Sequence, residues 1–379
     1  MPLVLNEEQH LLKFTAEEFF RKQAPVSALR TLRDERDVDG FSRPLWQAMV
    51  AMGWPSAFLP EEYGGLDCGF MELGAVLEAS GRTLVASPLF SSVVLAASGI
   101  LLGGDETQKS ALLPRIASGD LLMSLAVEEG AHHRPSAIAT TATAQKDGFV
   151  INGKKVHVID GHVADQFIVV ARTQGNSTEE RGISLFIVNR AQPGVSVARR
   201  VMVDSRNMAE IHLQDVAVPA SGMLGELHNG YSLLTKILDR GNIALSAEML
   251  GSLQAAFDRT LDYLKQREQF GELIGSFQAL QHRASRMFCE IELSKSVVLK
   301  ALQAIDEDAD NISLLASLAK VQVAETFRLV SDEAIQMFGG IGMTDAEDIG
   351  FYLKRARVAQ QLLGDEHYHV QRYATLRGY

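Results

Sequence analysis

The stretch "KDGFVINGK", residues 146–154, is where the reading of this chain turns. Asp147-Gly148 and Asn152-Gly153 are dipeptides of the kind two-residue hairpin turns require, because Asn, Asp and Gly tolerate the left-handed backbone those turns impose. They flank a short apolar run, which reads as a strand between two turns. Downstream, "QFIVVA" (166–171) and "ISLFIV" (183–188) are short and rich in β-branched residues, and "EIHL" (210–213) alternates polar with apolar. Residues 122–222 therefore predict a small β domain.

On both sides the apolar period is helical. Upstream, Asn6 can cap a helix whose first turn carries Glu7 and Glu8, with Gln9 placed to complete a capping box. Leu11, Leu12, Phe14, Phe19 and Phe20 then recur at helical spacing, and "PEEYGG" (60–65) and "LGGDETQ" (102–108) interrupt the pattern. From residue 223, Leu250, Leu253, Phe257, Leu261 and Leu264 step by three or four, as do Phe277, Leu280, Ala284, Met287 and Ile291. A third series runs from Leu314 through Leu318, Val321 and Ala324 towards Phe338, with "DEDADN" (306–311) as a polar turn before it. The expected fold class is mainly α with a central β domain: a helical part over 1–121, a β part over 122–222 and a helical bundle over 223–379.

At 379 residues and 46% hydrophobic, the chain can bury a large core. A net charge of −11 argues against nucleic acid or an anionic membrane as the main partner. No apolar run reaches the roughly 18 residues of a membrane span, and "MPLVLNEEQHLLKF" lacks a basic segment followed by an apolar one; the expectation is a cytoplasmic protein. Cys68 and Cys289 read as two reduced thiols rather than a disulfide framework. No metal-ligand spacing occurs, since His132-His133 and His367/His369 are the closest histidine pairs. "GGIG" (339–342) follows a helical pattern rather than a strand, which excludes a dinucleotide fingerprint, and neither a P-loop nor a nucleophile elbow is present.

Several strings, in order, resemble the acyl-CoA dehydrogenase family of flavoproteins over essentially the whole chain. "PEEYGG" (60–65), "LPRIASGD" (113–120), "INGKK" (151–155), "REQFGELIGSFQALQ" (267–281) and "QMFGGIGMT" (336–344) are similar to its signatures at plausible spacing. The resemblance implies a helical N-terminal domain, a β-barrel-like middle domain and a C-terminal four-helix bundle, assembled as a tetramer with FAD. It also implies α,β-dehydrogenation of an acyl-CoA thioester, with an electron-transfer flavoprotein as acceptor. A carboxylate takes the α-proton, and hydrogen bonds to the thioester oxygen stabilise the developing enolate charge.

Three groups of residues follow from the resemblance. The grip on a neighbouring subunit's FAD maps onto Arg267, Gln269, Phe270, Gln278, Gln336, Gly339 and Gly340; arginine suits a diphosphate through its planar fork of donors. The pocket for the chain's own flavin ring falls on Val127, His157 and Ile159. There the family has hydroxyl residues and a tryptophan, so this pocket is degenerate. The base admits two registers: counting from "KRAR" (354–357) puts Leu363 at the base position, and counting back from Gln371-Arg372 puts Asp365 there. A second family location falls on Gly241; Glu248, two turns further along that helix and roughly 10.5 Å away, is the nearest carboxylate on its face.

Asp365 and Glu248 are therefore the candidate catalytic residues, with a surface cap and a buried structural carboxylate as their alternative roles. Three readings stand. One is a partner subunit, like the small or β subunits of bacterial heteromeric acyl-CoA dehydrogenases, that grips FAD for a catalytic homologue. Another is a self-sufficient homotetramer with a relocated base, and the third is a flavin-free assembly protein.

Overall fold

The structure is a computed structural model that describes residues 4–379; Met1–Leu3, the start of the segment read for a leader, lie outside the described residues. In chain order come helices α1 (Glu7–Gln23), α2 (Val26–Asp34), α3 (Arg43–Ala51) and α4 (Phe70–Arg82). A π-helical run (Leu89–Ala97) leads into α5 (Ser98–Gly103) and α6 (Glu106–Ala117). Strands β1 (Met123–Ala126), β2 (Thr141–Gln145), β3 (Gly148–Ile159), β4 (Gln166–Arg172), β5 (Ile183–Asn189), β6 (Val195–Val201), β7 (Asn207–Pro219) and β8 (Met223–Leu224) follow. Helix α7 (Gly230–Leu264), the two-residue strands β9 (Glu268–Gln269) and β10 (Glu272–Leu273), and helices α8 (Gln278–Asp306), α9 (Ile312–Phe338), α10 (Ile349–Gln361) and α11 (Glu366–Leu376) complete the chain. No described helix is long and apolar enough to cross a membrane.

The chain forms two compact units. Among the described residues, the first comprises those up to 31, 70–85 and 242–379, the second residues 32–69 and 86–241. In the first, α1 starts as its sequence dictates: the Asn6 side chain accepts from the Gln9 amide at 2.8 Å, and the Gln9 side chain accepts from the Asn6 amide at 2.9 Å. Its helical period does not report burial throughout, since Ala16 and Phe20 are buried while Leu11 and Phe14 are exposed. Helices α4 and α7 approach at backbone distance. A Cβ on Gly81 would lie 2.0 Å from the Glu248 carbonyl oxygen, and one on Gly251 would lie 1.8 Å from that of Glu78. Small residues are needed on that face so that the two backbones can touch.

The second unit carries the mixed sheet, in the order β6-β7-β3-β2-β4-β5-β8 with β1 parallel to β4. Its core is one apolar cluster including Ile151, Phe167, Val169, Phe186, Ile211 and Val216. The turn between β2 and β3 falls one residue earlier than the expected Asp147-Gly148, on Lys146 and Asp147, with Gln145 opposite Gly148 as the first residue of β3. The second expected turn, Asn152-Gly153, is absent: β3 continues to Ile159, and a register shift falls between Ile151 and Gly153. This is a bulge, and its cause is crowding. A Cβ on Gly153 would sit 2.4 Å from the Thr140 hydroxyl, so glycine admits a close neighbour here rather than reversing the chain.

Candidate functional site

The two exposed C-terminal motifs are set beside each other in the first unit. Past the end of α7, Arg267, Glu268, Gln269 and Phe270 enter the β9–β10 hairpin, with Phe270 and Gly271 both at left-handed φ, +57° and +83°. Phe270 is 94% exposed, an unusual state for a phenylalanine in a folded chain. Arg267 is also exposed; its backbone amide donates to the Tyr263 carbonyl at 2.9 Å and its carbonyl accepts from Ile274 at 2.8 Å. Gln278 opens α8 on the same side of the sequence and is exposed. At the far end of α9, Gln336 is exposed, and Gly339 and Gly340 follow with open space where side chains would project. Gly339 takes φ +64°, a conformation that glycine adopts without strain.

Tyr263 ties these motifs together and was not singled out from the sequence. Its ring stacks on Phe338 with centroids 4.3 Å apart and 18° between planes, and its hydroxyl donates to the Phe338 carbonyl at 3.3 Å. An exposed arginine, glycine backbone with open space around it and an exposed aromatic ring are groups that fit a dinucleotide's phosphates and adenine. The side chains of Arg267, Phe270, Gln278 and Gln336 are all exposed.

In the second unit, Val127 directly follows β1 and is buried, and its carbonyl accepts from Lys155 Nζ at 3.0 Å. The same Nζ bonds Glu129 at 2.7 Å, and the Glu129 carboxylate also accepts from the amides of Ala139 (2.6 Å) and Thr140 (2.9 Å). Lys155 is fully buried, and burial pushes its pKa down to about 8 against the pull of Glu129. Burial opposes the charge on Glu129, yet Lys155 and the bonds around it hold the carboxyl below its usual range. The loop after Val127 is thus braced by an ion pair between a buried lysine and a half-buried glutamate. Glu128 in turn contacts His133 Nδ1.

His157 lies in the second bulge of β3, between Lys155 and Val158, at φ +52°, with its side chain exposed. Ile159, the last residue of β3, pairs with Met208. Neither Val127 nor Ile159 offers a hydroxyl, so the side chains at these two positions supply no donor to a flavin ring, whatever backbone groups lie near.

The two candidate carboxylates are both structurally engaged. Asp365 is the N-cap of α11, accepting from the Tyr368 amide at 2.9 Å. Glu248, 3% exposed, pairs with Arg355, whose Nε and Nη2 donate to Oε1 at 3.2 and 2.9 Å. Arg355 lies inside the "KRAR" string, but nothing in the local spacing identifies its partner 107 residues away.

The α10–α11 turn, where the two base registers diverge, is held from beneath. Lys320 on α9 is 1% exposed and donates to the carbonyls of Gln360 (3.3 Å), Leu362 (2.6 Å) and Gly364 (2.8 Å). Buried His369 donates through Nε2 to the Leu363 carbonyl at 3.0 Å, and its Nδ1 is hydrogen-bonded with the Ser317 hydroxyl at 3.3 Å. Leu363 takes φ +56° in this turn, a conformation held by these bonds. Among the described residues no group of three His, Cys, Asp or Glu side chains could hold a metal ion.

Three family models match in the order the strings suggest: the acyl-CoA dehydrogenase N-terminal domain over residues 6–120, the middle domain over 125–216 and the C-terminal domain over 228–375. The chain belongs to the acyl-CoA dehydrogenase family. It is therefore an FAD-dependent oxidoreductase in type, with the family's fold. The probable acyl-CoA dehydrogenase YngJ of Bacillus subtilis is 31% identical, covering 100% of this chain and 99% of its own. The solved butyryl-CoA dehydrogenase of Megasphaera elsdenii is 27% identical with a TM-score of 0.91, covering 100% of both chains. A solved chain of the Tcur3481–Tcur3483 steroid ACAD is 29% identical, with a TM-score of 0.88 and 98% of each chain covered.

Proposed function

We propose that this chain is the FAD-gripping subunit of a heteromeric acyl-CoA dehydrogenase. It would lend Arg267, Gln269, Phe270, Gln278, Gln336, Gly339 and Gly340 to the cofactor of a homologous catalytic subunit. FAD, when bound, supplies the acceptor for the β-hydride in dehydrogenation of an acyl-CoA thioester. The asymmetry between the two halves of the flavin site carries the reading. The outward grip is open and exposed, whereas Val127 and Ile159 present no hydroxyl where the family has them.

The carboxylates support the same division of labour. A general base needs a carboxylate free to reach the α-proton. Asp365 spends an oxygen on a helix cap, and Glu248 is buried against Arg355. The proposal includes domain limits near 121 and 222, a cytoplasmic location, a tetramer of two chain types and an electron-transfer flavoprotein as acceptor. The name of the Tcur3481–Tcur3483 relative, which joins two components on a steroid substrate, supports a paired assembly and a bulky acyl chain.

The test is dehydrogenation of acyl-CoA thioesters, from short acyl chains to steroid side-chain esters, with an artificial electron acceptor. The chain alone should turn over none of them, and addition of its homologous partner should restore turnover. Full activity of the chain alone, abolished by Asp365→Asn or Glu248→Gln with the fold intact, would establish the self-sufficient reading instead.

A further inference from the structure

We propose that Tyr263 is the positioning residue that sets the spacing between the two halves of the FAD grip. The inference rests on the grip reading above and adds a residue to it. Arg267 and Gly339 are 72 positions apart in sequence and sit on different elements, the hairpin after α7 and the turn after α9. A ligand that engages both needs them at a constant separation, because about 1 Å of misplacement is enough to weaken a bidentate contact strongly.

Tyr263 reaches both. Through its backbone it holds the hairpin: the Tyr263 carbonyl accepts from the Arg267 amide at 2.9 Å and from the Gln266 amide at 3.1 Å. Through its side chain it holds the turn: the ring lies against Phe338 at 4.3 Å, and the hydroxyl donates to the Phe338 carbonyl at 3.3 Å, one residue before Gly339. The carbonyl it binds belongs to the last residue of α9, where the chain departs from the helix. Phe338 is also the N-cap of the 3-10 turn over Gly339–Met343, so this bond anchors the point at which the glycines leave α9. Gly275 then brings the far strand of the hairpin against α7, with space for a Cβ only 2.9 Å from the Leu264 carbonyl oxygen. The hairpin is thereby seated on the same helical turn that holds the glycines. Tyr263 touches no ligand in this account; it acts through Arg267 and Gly339.

The experiment compares Tyr263→Phe, Tyr263→Leu and Arg267→Ala in the assembled holoenzyme, purified through a tag on this chain. The readouts are the FAD dissociation constant after removal and re-addition of cofactor, and the melting temperature of the FAD-free assembly. Tyr263→Phe keeps the stack and loses the hydroxyl; it should bind FAD roughly 3–10-fold more weakly, the worth of one hydrogen bond. Tyr263→Leu should exceed that loss, and the FAD-free phenylalanine variant should melt within about 2 °C of wild type, the stability worth of the same bond.

Arg267→Ala separates the two claims. If it binds FAD as wild type does, the grip reading fails and this inference fails with it. If it weakens FAD while both Tyr263 variants bind normally, the grip stands and the positioning role is overturned. Should the leucine variant not fold, the phenylalanine variant decides: unchanged affinity refutes the role, as does weakened affinity with a melting temperature lowered by more than about 2 °C, and weakened affinity within that limit supports it.

Discussion

Arg355→Met should unmask what Glu248 does. Both side chains are nearly fully buried, at 3% and 4% exposure, and two arginine nitrogens converge on one carboxylate oxygen at 2.9 and 3.2 Å. Methionine matches much of the arginine stem but donates nothing, so Glu248 would keep a charge in a setting without its cation. Breaking one side of a buried pair costs about 3–5 kcal/mol, because the survivor remains desolvated. For a chain of this size that corresponds to a drop of roughly 4–6 °C in melting temperature. The double variant Glu248→Leu with Arg355→Met removes both charges and should recover most of the loss, since apolar replacement of a buried pair is often close to neutral.

Differential scanning calorimetry on the three proteins at pH 7 checks this. An Arg355→Met protein within about 1 kcal/mol of wild type would refute the structural role, since that is the range of an exposed pair. A Glu248→Gln protein that melts as wild type does but loses all turnover would instead make Glu248 a working base.

Other outcomes follow from the same geometry. Lys320 sits at a pKa of about 7, pulled down by burial with Asp365 opposing, against roughly 10.4 in the unfolded chain. Between these values the unfolded chain holds a proton that the folded chain releases, so stability rises with pH by up to about 1.4 kcal/mol per pH unit and is lost as pH falls towards 7. Urea unfolding of wild type and Lys320→Met at pH 7 and pH 9 should therefore show wild type gaining relative to the variant, and parallel curves would contradict the assignment. Gly251→Ala places a methyl 1.8 Å from the Glu78 carbonyl oxygen; overpacking of this kind should destabilise by about 1–3 kcal/mol or more, read as a lower urea midpoint. Asp365→Ala removes a helix cap and should cost about 1 kcal/mol without altering the turnover of the assembled enzyme.

Local patterns were legible in the sequence where the interaction itself is local. The Asn6–Gln9 capping box spans three residues and forms as its letters imply. The runs at 166–171 and 183–188 became β4 and β5 because β-branched apolar residues suit a buried strand. Asn152-Gly153 misled because its glycine answers to Thr140, a neighbour brought in by folding, rather than to a turn. Leu11 and Phe14 keep the helical period yet face outwards, since periodicity marks a face without saying what covers it.

The site divides along the same line. The grip residues could be mapped because their motifs are contiguous strings. Tyr263–Phe338, Glu248–Arg355 and Lys320 with the α10–α11 turn join residues 75, 107 and about 40 positions apart, and no spacing rule connects them. The Glu248–Arg355 pairing gives Glu248 a partner that the letters could not name, whereas the cap at Asp365 spans three residues and was among the roles its sequence allowed.

The most direct test is the flavin content of the chain expressed without any homologous subunit, measured as FAD absorbance per chain. If it grips a partner's cofactor and lacks a complete ring pocket of its own, little or no FAD should co-purify. Co-expression with a homologous catalytic subunit should then raise the ratio towards one FAD per pair. A ratio near one FAD per chain for the protein alone would contradict the account, because every subunit would then be building a whole flavin site.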